Sequence, residues 1–397
     1  MDTRLHHGLE LNKTQGHRAR ERFASSLRAY VLNNMAAELR ADFDTEAVPD
    51  ALKRGESEPQ DGPDVHKLMK GRDVFNLYSS VRCAAQEMVW NSVIDSVNAN
   101  QAQLEAAFTA LADDERLGSL TLNAELDMPR YVAAVDVHLM PGNYDGRENA
   151  NSLLPGAVYD NGFNVFAFGA MGKQLNDIGW SMANFLKHRF RDFTPERVLD
   201  VGCTIGHNTL PWKQTFPDAQ VHGVDVAAAC LRYAHARAES LGIEAHFHQQ
   251  AGESLDFDDN SFDVVFSSMF LHELPLKSIR AFLAEAHRVL RPGGIMLHME
   301  LPPNSALTPF DAFYLDWDGY YNNEPFYKNF RDQDYQELCE RAGFAPDAFF
   351  EGVMPRFTYV DEAAFAAAVG GTAEFDEDTG RLSDGIQWYG FGARKAL

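Results

Sequence analysis

Two periodicities divide the chain near its middle. In the first part, apolar side chains recur every three or four positions, as in RARERFASSLRAYVLNNMAAELRADF, where Phe23, Leu27 and Val31 lie at helical spacing. Further helices are predicted in VHKLMKGRDVFNLYSSVRCAAQEMVWNSVIDSVN and near 101–112, after a charged Gly/Pro linker at 53–64. The first part is therefore predicted to be mainly helical.

After residue 196 the pattern changes to short apolar runs that alternate with amphipathic segments. Such alternation is typical of a parallel sheet covered by helices on both faces. The predicted strands are 197–202, 220–225, 244–249, 262–268 and 294–300, the predicted helices are 207–216, 227–241 and 276–290, and closing strands are expected in GIQWYGFGARKAL. Ligands of such sheets bind at the carboxyl ends of the strands, where the strand order reverses.

The region between these two parts contains a predicted strand and a predicted helix. RYVAAVDVHL (130–139) has strand character, and 171–192 is predicted to be a helix that leads into the sheet. The segment 136–145 carries His138 and Asn143 beside a tight turn, and two interpretations stay open. It is a buried connection between domains or a lid over a substrate.

We divide the chain accordingly into a mainly helical domain at 1–150 and an α/β domain at 151–397. Hydrophobic residues make up 45% of the sequence, which is enough for a sizeable core. The helical domain is interpreted as a cap over the second domain or as the contact of a homodimer.

Charge and cysteine content restrict the partners and the compartment. The formal net charge of −23 disfavours binding to nucleic acid or to an anionic membrane surface. The four cysteines form no CxxC pair, and no apolar run approaches the roughly 20 residues that span a bilayer. The polar start has no signal-peptide core, so we expect a cytoplasmic protein with reduced thiols.

The run VLDVGCTIG at 198–206 joins a predicted strand to a helix through a glycine turn. Gly202 and Gly206 let the backbone approach a ligand, and a helix N-terminus offers free N–H groups to an anion. A dinucleotide fingerprint needs glycine at 202, 204 and 207, but Thr204 and His207 stand at the last two positions. A nucleotide-dependent oxidoreductase is therefore only a weak alternative.

The same turn resembles the D-x-G-x-G-x-G signature of class I S-adenosylmethionine-dependent methyltransferases. Further pieces of that family follow in order: VHGVD with Asp225, FDVVFSSMFLHEL at 262–274, EAHRVLRPGGIMLHME at 285–300 and LCERAGF at 338–344. The resemblance covers roughly 165–397. It implies a doubly wound, mostly parallel sheet of seven strands and S-adenosyl-L-methionine as cofactor.

The resemblance also assigns cofactor-binding positions. Gly202 and Gly206 would pass close to the methionine part, Asp200 would orient its end, and Asp225 would hold the ribose. The predicted set is Asp200, Gly202, Thr204, Gly206, Asp225, Val226, Gly252, Glu253, Ser267 and Ser268. Two positions depart from the pattern, because Thr204 replaces the middle glycine and Ala251 stands where the family often has an aspartate near the adenine.

His272 is the candidate catalytic residue. It follows the fourth strand of the family pattern in FLHEL, where an acceptor should lie, and histidine titrates in the range that a general base needs. The competing interpretation is a histidine that packs against the next helix. His298 and Glu300 share one face of the fifth strand, but two residues make no metal site, so they are taken as structural and no metal is predicted.

An aromatic insertion at 303–332 follows the fifth strand. Its rings would suit a flat or cationic small molecule, and Asp316 and Asp318 would favour an amine. The alternative is that the rings form the core of a cap or a dimer contact.

The sequence therefore predicts methyl transfer from S-adenosylmethionine to a small-molecule acceptor, aromatic or amine in character, with O- or N-methylation favoured. A non-catalytic binding or scaffold protein that keeps the fold is the alternative, and Thr204 and Ala251 support it.

Overall fold

A computed structural model describes residues 7–113, 116–144, 152–371, 375–376, 379–382 and 386–397. One sheet of eight strands forms its centre. The strands are β1 (Ser119–Thr121), β2 (Arg197–Val201), β3 (Gln220–Asp225), β4 (His246–Gln249), β5 (Phe262–Ser268), β6 (Leu290–Glu300), β7 (Phe349–Met354) and β8 (Trp388–Arg394).

The strand order is β1-β4-β3-β2-β5-β6-β8-β7, and only β8 runs antiparallel to its neighbours. From β2 the chain adds strands first on one side, β3 and β4, and then on the other, β5 and β6. The order therefore reverses between β2 and β5, which places a ligand crevice at their carboxyl ends. The predicted doubly wound α/β fold is confirmed.

The sheet has one strand more than the seven predicted. The additional strand β1 comes from the helical first part and pairs in parallel with β4, with Ser119 opposite His246 and Thr121 opposite His248. Three residues carry too little periodicity to identify a strand from sequence, and the pairing depends on a partner far along the chain.

Sixteen α-helices surround the sheet within the described residues. They are α1 (Gln15–Tyr30), α2 (Ala36–Asp42), α3 (Val48–Lys53), α4 (Gly62–Met69), α5 (Asp73–Ala99), α6 (Gln101–Asp113), α7 (Arg130–Ala133), α8 (Leu154–Phe166), α9 (Asp177–Arg189), α10 (Leu210–Thr215), α11 (Ala228–Ser240), α12 (Leu276–Val289), α13 (Pro309–Tyr321), α14 (Tyr327–Arg331), α15 (Tyr335–Arg341) and α16 (Glu362–Val369). Two π-helical turns, Val31–Met35 and Phe43–Ala47, join α1, α2 and α3 into one continuous helix.

The start of α1 shows how sequence sets these boundaries. The Thr14 hydroxyl accepts the His17 backbone N–H at 3.2 Å, and the His17 ring nitrogen faces the Thr14 N–H in return. This reciprocal cap satisfies two of the N–H groups that a helix start leaves without partners. Asp61 caps α4 with a single bond, because its side chain accepts the Asp64 N–H at 2.9 Å.

Two apolar layers cover the sheet. Because neighbouring residues of a strand point to opposite faces, Val264 and Phe266 of β5 pack with α9, α10 and α16, whereas Val265 packs with α12 and α15. This division fixes which side chains of β5 and β6 can reach the crevice at the strand ends.

The aromatic insertion and the first helices share a third apolar core. Phe310 and Phe313 of α13 pack against Val65 of α4 and Phe75 of α5. The insertion therefore has a core role in the first part of the chain, and Tyr314 belongs both to this core and to the cavity described below. The predicted domain boundary at 150 falls in 145–151, outside the described residues.

Three local predictions are corrected. The expected strand at 130–139 is the short helix α7 followed by a 3-10 turn at Val137–Leu139, because this segment lies over the cavity and no sheet edge pairs with it. The helix expected from 171 begins at Asp177. The strand expected at 294–300 begins at Leu290, so that LRPGG lies inside β6, where the pairing register with β5 shifts between Phe262 and Val264.

Candidate active site

A deep cavity of about 200 Å³ opens at the carboxyl ends of β2, β3 and β5. Its lining comes from both parts of the chain, because α1 and α5 contribute Arg28 and Trp90 and the crevice of the sheet contributes Asp200, Asp225 and Ser268. Large cavities at this position of a doubly wound sheet are where ligands bind.

Asp200 is the buried acid of the first strand. Its Oδ2 accepts the hydroxyl hydrogen of Thr209 at 2.5 Å, and its buried Oδ1 has no hydrogen-bond partner among the described residues. Burial raises the pKa of the Asp200 carboxyl to about 7, against the opposing effect of the Thr209 hydroxyl, and Asp225 adds to the increase. The free oxygen is thus available to a ligand donor in the cavity.

The loop after β2 is shaped by left-handed backbone angles. Gly202 has φ +78°, and a Cβ there would lie 2.4 Å from the Phe270 ring. Thr204 has φ +48°, and its backbone N–H donates to Asp225 Oδ2 at 2.9 Å, while Asp225 Oδ1 accepts the Ala227 N–H at 2.9 Å. These hydrogen bonds hold the Asp225 carboxylate at the end of β3 facing the cavity.

A narrow slot adjoins the cavity beyond Asp225. Val226, Gly252 and Gln250 line it on the sheet side, and Tyr131 of α7 lines it on the other. The Tyr131 hydroxyl donates to Glu253 Oε1 at 2.8 Å, so this predicted residue contacts the helix that covers the slot. A flat ring system between Val226 and Tyr131 would be shielded from water on both sides.

Three predicted residues line neither the cavity nor the slot: Glu253, whose contact is with Tyr131, and Gly206 and Ser267. Gly206 has φ +69° and lies against Phe247 and Ala234, so it serves the packing of the turn. Ser267 is fully buried and hydrogen-bonds to His298 Nδ1 at 2.7 Å. Its neighbour Ser268 points the opposite way along β5 and does line the cavity, where it accepts a hydrogen bond from Asn208 at 3.1 Å.

His272 lies in the cavity wall and forms an ion pair with Glu300. Its Nδ1 is 2.6 Å from Glu300 Oε2, and Glu300 Oε1 accepts the backbone N–H groups of Phe270 and Leu271. Burial lowers the pKa of His272, but Glu300, Glu324 and Glu273 outweigh it and raise the pKa to about 9. Glu300, interpreted from sequence as structural, therefore sets the charge and the orientation of His272.

Two carboxylates, Glu273 and Glu324, face the Nε2 of His272 and also contact a second histidine, His138; together with the His272–Glu300 pair we call these groups the glutamate end of the cavity. Glu273 and Glu324 each place an oxygen 4.0 Å from His272 Nε2. His138 lies 3.2 Å from Glu273 and 3.1 Å from Glu324, and these two carboxylates overcome burial and raise its pKa to about 10. With both histidines protonated, three carboxylates face two cations, which leaves a negative excess.

Sequence reasoning assigned no chemistry to several of these residues. Glu273 follows His272 directly, and that adjacency was a usable signal. Glu324 and Arg28 come from segments far from the glycine turn, and only the fold brings them to it. His138 lies on the segment for which a buried connection and a lid were both considered, and it forms part of the cavity wall with φ +58°.

The acids proposed to favour an amine are already paired. Asp318 accepts a hydrogen bond from Arg82 at 2.6 Å, and Asp316 accepts one from Arg331 at 2.7 Å. Their charge is therefore balanced by arginine, and the expectation that they attract an amine is not supported by this geometry.

The described part of the chain shows neither a cluster of metal ligands nor a membrane-spanning helix. It contains no group of three or more histidine, cysteine, aspartate or glutamate side chains placed to hold a metal ion. None of its helices has the length and apolar character to cross a bilayer.

Comparison with known proteins identifies the segment that contains the glycine turn. Residues 198–294 match the family model described as "Methyltransferase domain". A phthiotriol/phenolphthiotriol dimycocerosates methyltransferase of Mycobacterium tuberculosis is 35% identical over 121 residues, which is 30% of this chain and 43% of that protein. A demethylmenaquinone methyltransferase of Thermus thermophilus is 33% identical over 127 residues, 32% of this chain and 55% of that protein.

The chain spans about half the length of these curated relatives. Among solved structures, a Haemonchus contortus phosphoethanolamine N-methyltransferase 2 in complex with S-adenosyl-L-methionine is 20% identical, and the match covers 64% of this chain and 60% of that chain with a TM-score of 0.42.

The geometry of the cavity fits S-adenosylmethionine, independently of these comparisons. The partnerless Oδ1 of Asp200 suits a cationic amino group, the missing Cβ of Gly202 leaves the backbone open, and Asp225 presents a carboxylate where a sugar hydroxyl can donate to it. The strand order, the family match and this site agree. Residues 198–294 belong to the methyltransferase-domain family, and the sheet that contains them has the fold of a class I S-adenosylmethionine-dependent methyltransferase.

Proposed function

We propose that the protein transfers a methyl group from S-adenosylmethionine to a hydroxyl or amino group of a small molecule bound in the cavity. The observation that carries this proposal is the shared cavity, in which the Asp200–Asp225 crevice and the glutamate end line one space. Both reactants can therefore be held together and shielded from water, which is the main task in a displacement at a methyl carbon.

The proposed binding roles follow the order of groups along the crevice. Asp200 binds the amino group of the cofactor, Gly202 and Thr204 contact it through their backbone, and Asp225 accepts hydrogen bonds from the ribose. Val226, Gly252 and Glu253 lie where the adenine would enter the slot beneath Tyr131. When bound, S-adenosylmethionine supplies an electrophilic methyl carbon whose bond to sulfur breaks with the electron pair going to sulfur.

His272 remains our candidate for the proton acceptor. Its Nδ1 is held by Glu300, so Nε2 is the nitrogen that faces Glu273 and Glu324 in the cavity. An acceptor hydroxyl or ammonium group placed there would give its proton to Nε2 of the unprotonated ring. Because the pKa of His272 is raised to about 9, only a minor fraction of the enzyme is in that form at neutral pH.

The small size of the acceptor is argued from the enclosure of the site and from charge. Trp90, Phe163 and Trp388 line the cavity with rings, and helices from both parts of the chain surround it. The net charge of −23 disfavours a nucleic acid acceptor.

The test combines binding with product detection. Calorimetric titration with S-adenosylhomocysteine should release heat with the wild type, and Asp225→Asn should bind at least tenfold more weakly, since a charge-assisted contact contributes roughly 1.5–3 kcal/mol. Asp218→Asn, an exposed change in the loop before β3, is the matched control.

A cell extract incubated with methyl-labelled cofactor should then yield a labelled small molecule by mass spectrometry. Binding of neither S-adenosylmethionine nor S-adenosylhomocysteine would overturn the proposal and favour a scaffold role.

A further inference from the structure

The end of the cavity formed by the first helices carries three arginines, Arg28, Arg82 and Arg381, which we call the arginine end. Arg28 and Arg381 line the cavity together with one carboxylate, Asp318, whereas Arg82 is not part of the lining and hydrogen-bonds to Asp318. Burial raises the pKa of Asp318, but Arg82, Arg28 and Arg381 outweigh it and lower the pKa below its usual value. The arginine end therefore has an excess of positive charge.

Arg82 balances the negative charge of Asp318. Its Nε donates to Asp318 Oδ1 at 2.6 Å, its Nη2 donates to Asn322 at 2.6 Å and its Nη1 donates to Gln86 at 3.1 Å. The donor groups of Arg82 are thus directed at protein partners, and this residue does not need a ligand.

Arg28 differs from Arg82 in having no carboxylate of its own. Its side chain is 1% exposed, its Nε donates to the Phe166 carbonyl at 2.7 Å, and its guanidinium lies 3.8 Å above the Phe166 ring. The buried Nη1 has no hydrogen-bond partner among the described residues. Burial and the neighbouring Arg82 lower the pKa of Arg28 to about 9, because they outweigh the opposing effect of Asp318, whose carboxylate is hydrogen-bonded to Arg82.

Arg381 adds to this excess, and its Nη2 donates to the carbonyl of Leu32, one turn after Arg28, at 3.4 Å. Its guanidinium lies 4.3 Å from the centre of the Tyr314 ring, and its buried Nε has no partner among the residues that the structure describes. A buried guanidinium that has an N–H group without an acceptor is well satisfied by a carboxylate or phosphate group, which can accept two N–H groups at once.

We infer that the methyl acceptor carries an anionic group, a carboxylate or a phosphate, which the Arg28 guanidinium binds at the arginine end of the cavity. This inference rests on the proposed function and specifies the chemistry of its acceptor.

The polarity of the cavity supports a fixed orientation of such an acceptor. The glutamate end has a negative excess and would repel the anion, while it can accept hydrogen bonds from a hydroxyl or amino group. Phe166 links the two ends, because its carbonyl accepts from Arg28 and its ring centre is 5.6 Å from that of His138. The anion at Arg28 would therefore direct the opposite end of the acceptor towards His272.

The experiment measures binding of four probes of similar size to full-length protein saturated with S-adenosylhomocysteine. The probes are phenylacetate, phenyl phosphate, benzyl alcohol and benzylamine, which carry a carboxylate, a phosphate, no charge and a cation. At least one of the two anions should bind ten times more tightly than benzyl alcohol, and the better anion identifies the group.

The variants show whether Arg28 causes this preference. Arg28→Met should reduce the advantage of the anion to less than threefold, and Arg28→Lys should retain part of it, because lysine keeps the charge but loses the two-pronged geometry. Arg20→Met, at an exposed position of the same helix, should leave the preference unchanged.

Failure of the proposed function and failure of the inference about Arg28 give different results. Absence of S-adenosylhomocysteine binding overturns the proposed function. Normal binding of S-adenosylhomocysteine overturns the inference alone if neither anion binds, if benzyl alcohol or benzylamine binds as tightly, or if the preference survives Arg28→Met. Should Arg28→Met fail to fold, the wild-type ranking together with Arg28→Lys decides the matter.

Discussion

Left-handed backbone angles in residues other than glycine recur around the cavity. Thr204 has φ +48°, Met269 has φ +50° and His138 has φ +58°, and all three line it. Each such angle costs roughly 1–2 kcal/mol relative to the right-handed conformation. Strained backbone at a ligand site is consistent with a loop held in place by its hydrogen bonds, here the bond from the Thr204 N–H to Asp225.

Glycine is required at 202 for two separable reasons. The positive φ strains the backbone of any other residue, and an added Cβ would collide with a neighbouring ring. Gly55 has a similar φ of +81° with nothing within 4 Å of an added Cβ, whereas at Gly202 the Cβ would meet the Phe270 ring. Gly55→Ala should lower the free energy of unfolding by about 1–2 kcal/mol. Gly202→Ala should lower it further and also weaken S-adenosylhomocysteine binding, as measured by urea unfolding and calorimetry. Equal losses in the two variants would contradict the collision.

The pKa of Asp200 predicts a pH-dependent cofactor affinity. The carboxyl is partly protonated near pH 7 in the free protein, and a bound amino group would favour its charged form. Affinity for S-adenosylhomocysteine should therefore increase as pH rises from 5.5 to 7, with proton release that calorimetry in buffers of different ionisation enthalpy detects. Asp200→Asn should bind more weakly and show a flatter dependence. An unchanged pH dependence in the variant would exclude Asp200 as its source.

The pKa of His272 predicts the pH dependence of the reaction rate. If the unprotonated ring accepts the proton, the maximal rate should rise with pH until about 9, the value set by burial and the opposing Glu300. Glu300→Gln removes the main charge that raises this pKa, so the profile should level off at a lower pH. Rates that fall between pH 7 and 9 would show that the protonated ring is the active form.

The sequence was sufficient for residues whose role depends on their position along a strand. Asp200, Gly202 and Asp225 lie at strand ends, where a local pattern places them correctly at the crevice. Ser267 shows the limit, since the bounds of β5 were predicted but which face of the strand meets the cavity depends on what packs against the sheet. Arg28 lies on an ordinary amphipathic helix, and nothing local distinguishes it from an exposed arginine.

At the scale of elements, β3 and β4 bring three histidines together on one face of the sheet. His222 Nδ1 is 3.1 Å from His248 Nε2, and the rings of His222 and His246 are 5.1 Å apart. Burial and the neighbouring histidines lower the pKa of His222 to about 3, and burial with His246 lowers that of His248 to about 4. The pair is therefore neutral in the folded protein at pH values where an unfolded chain would be charged.

Because these histidines are neutral in the folded protein and charged in the unfolded chain, the free energy of unfolding should decrease as the pH falls. A lowered folded pKa means that the stabilising contribution is present above about pH 6.5 and is lost as pH falls towards 3. His222→Gln should make the decrease in unfolding free energy between pH 6.5 and 4 less steep, as measured by urea midpoints. Gln220→Ala, an exposed change on the same strand, should not alter the slope. Parallel curves for wild type and His222→Gln would contradict the assignment.

Prediction of the elements succeeded where periodicity is strong and the chain is locally consistent. The strands β3 and β5 have the predicted bounds, and α12 differs by one residue. The strand β1 and the helix α7 were missed, because their conformation depends on what they contact: β4 for the first, and the slot beside Gly252 for the second. Local propensity carries little information about such segments.

At the scale of the whole molecule, the first helices and the sheet line one common cavity. Arg28 and Trp90 line the same cavity as Asp200 and His272, and α5 packs against α8. The first part of the chain is thus part of the candidate active site, and its role as a cap stays a prediction. A homodimer remains a prediction.

This arrangement predicts which segments become protected from amide hydrogen exchange when a ligand binds. On binding S-adenosylhomocysteine, amide hydrogen exchange should slow at 202–206 and also at 130–133 in α7, because Tyr131 covers the slot and bonds to Glu253. Tyr131→Phe should reduce the effect at 130–133 while 202–206 stays protected. Protection confined to the sheet in the wild type would mean that α7 takes no part in binding.

The edge pairing of β1 and β4 has a consequence for the order of synthesis. Ser119 meets His246 127 positions later in the chain, so β1 leaves the ribosome long before its partner exists. At a typical elongation rate this delay is about 6 to 25 s, far longer than the microseconds in which helices form. During this delay the first helices are only partly assembled, because the backbone groups of β1 have no strand to pair with. Nascent chains arrested before residue 246 should therefore be those that most need a chaperone.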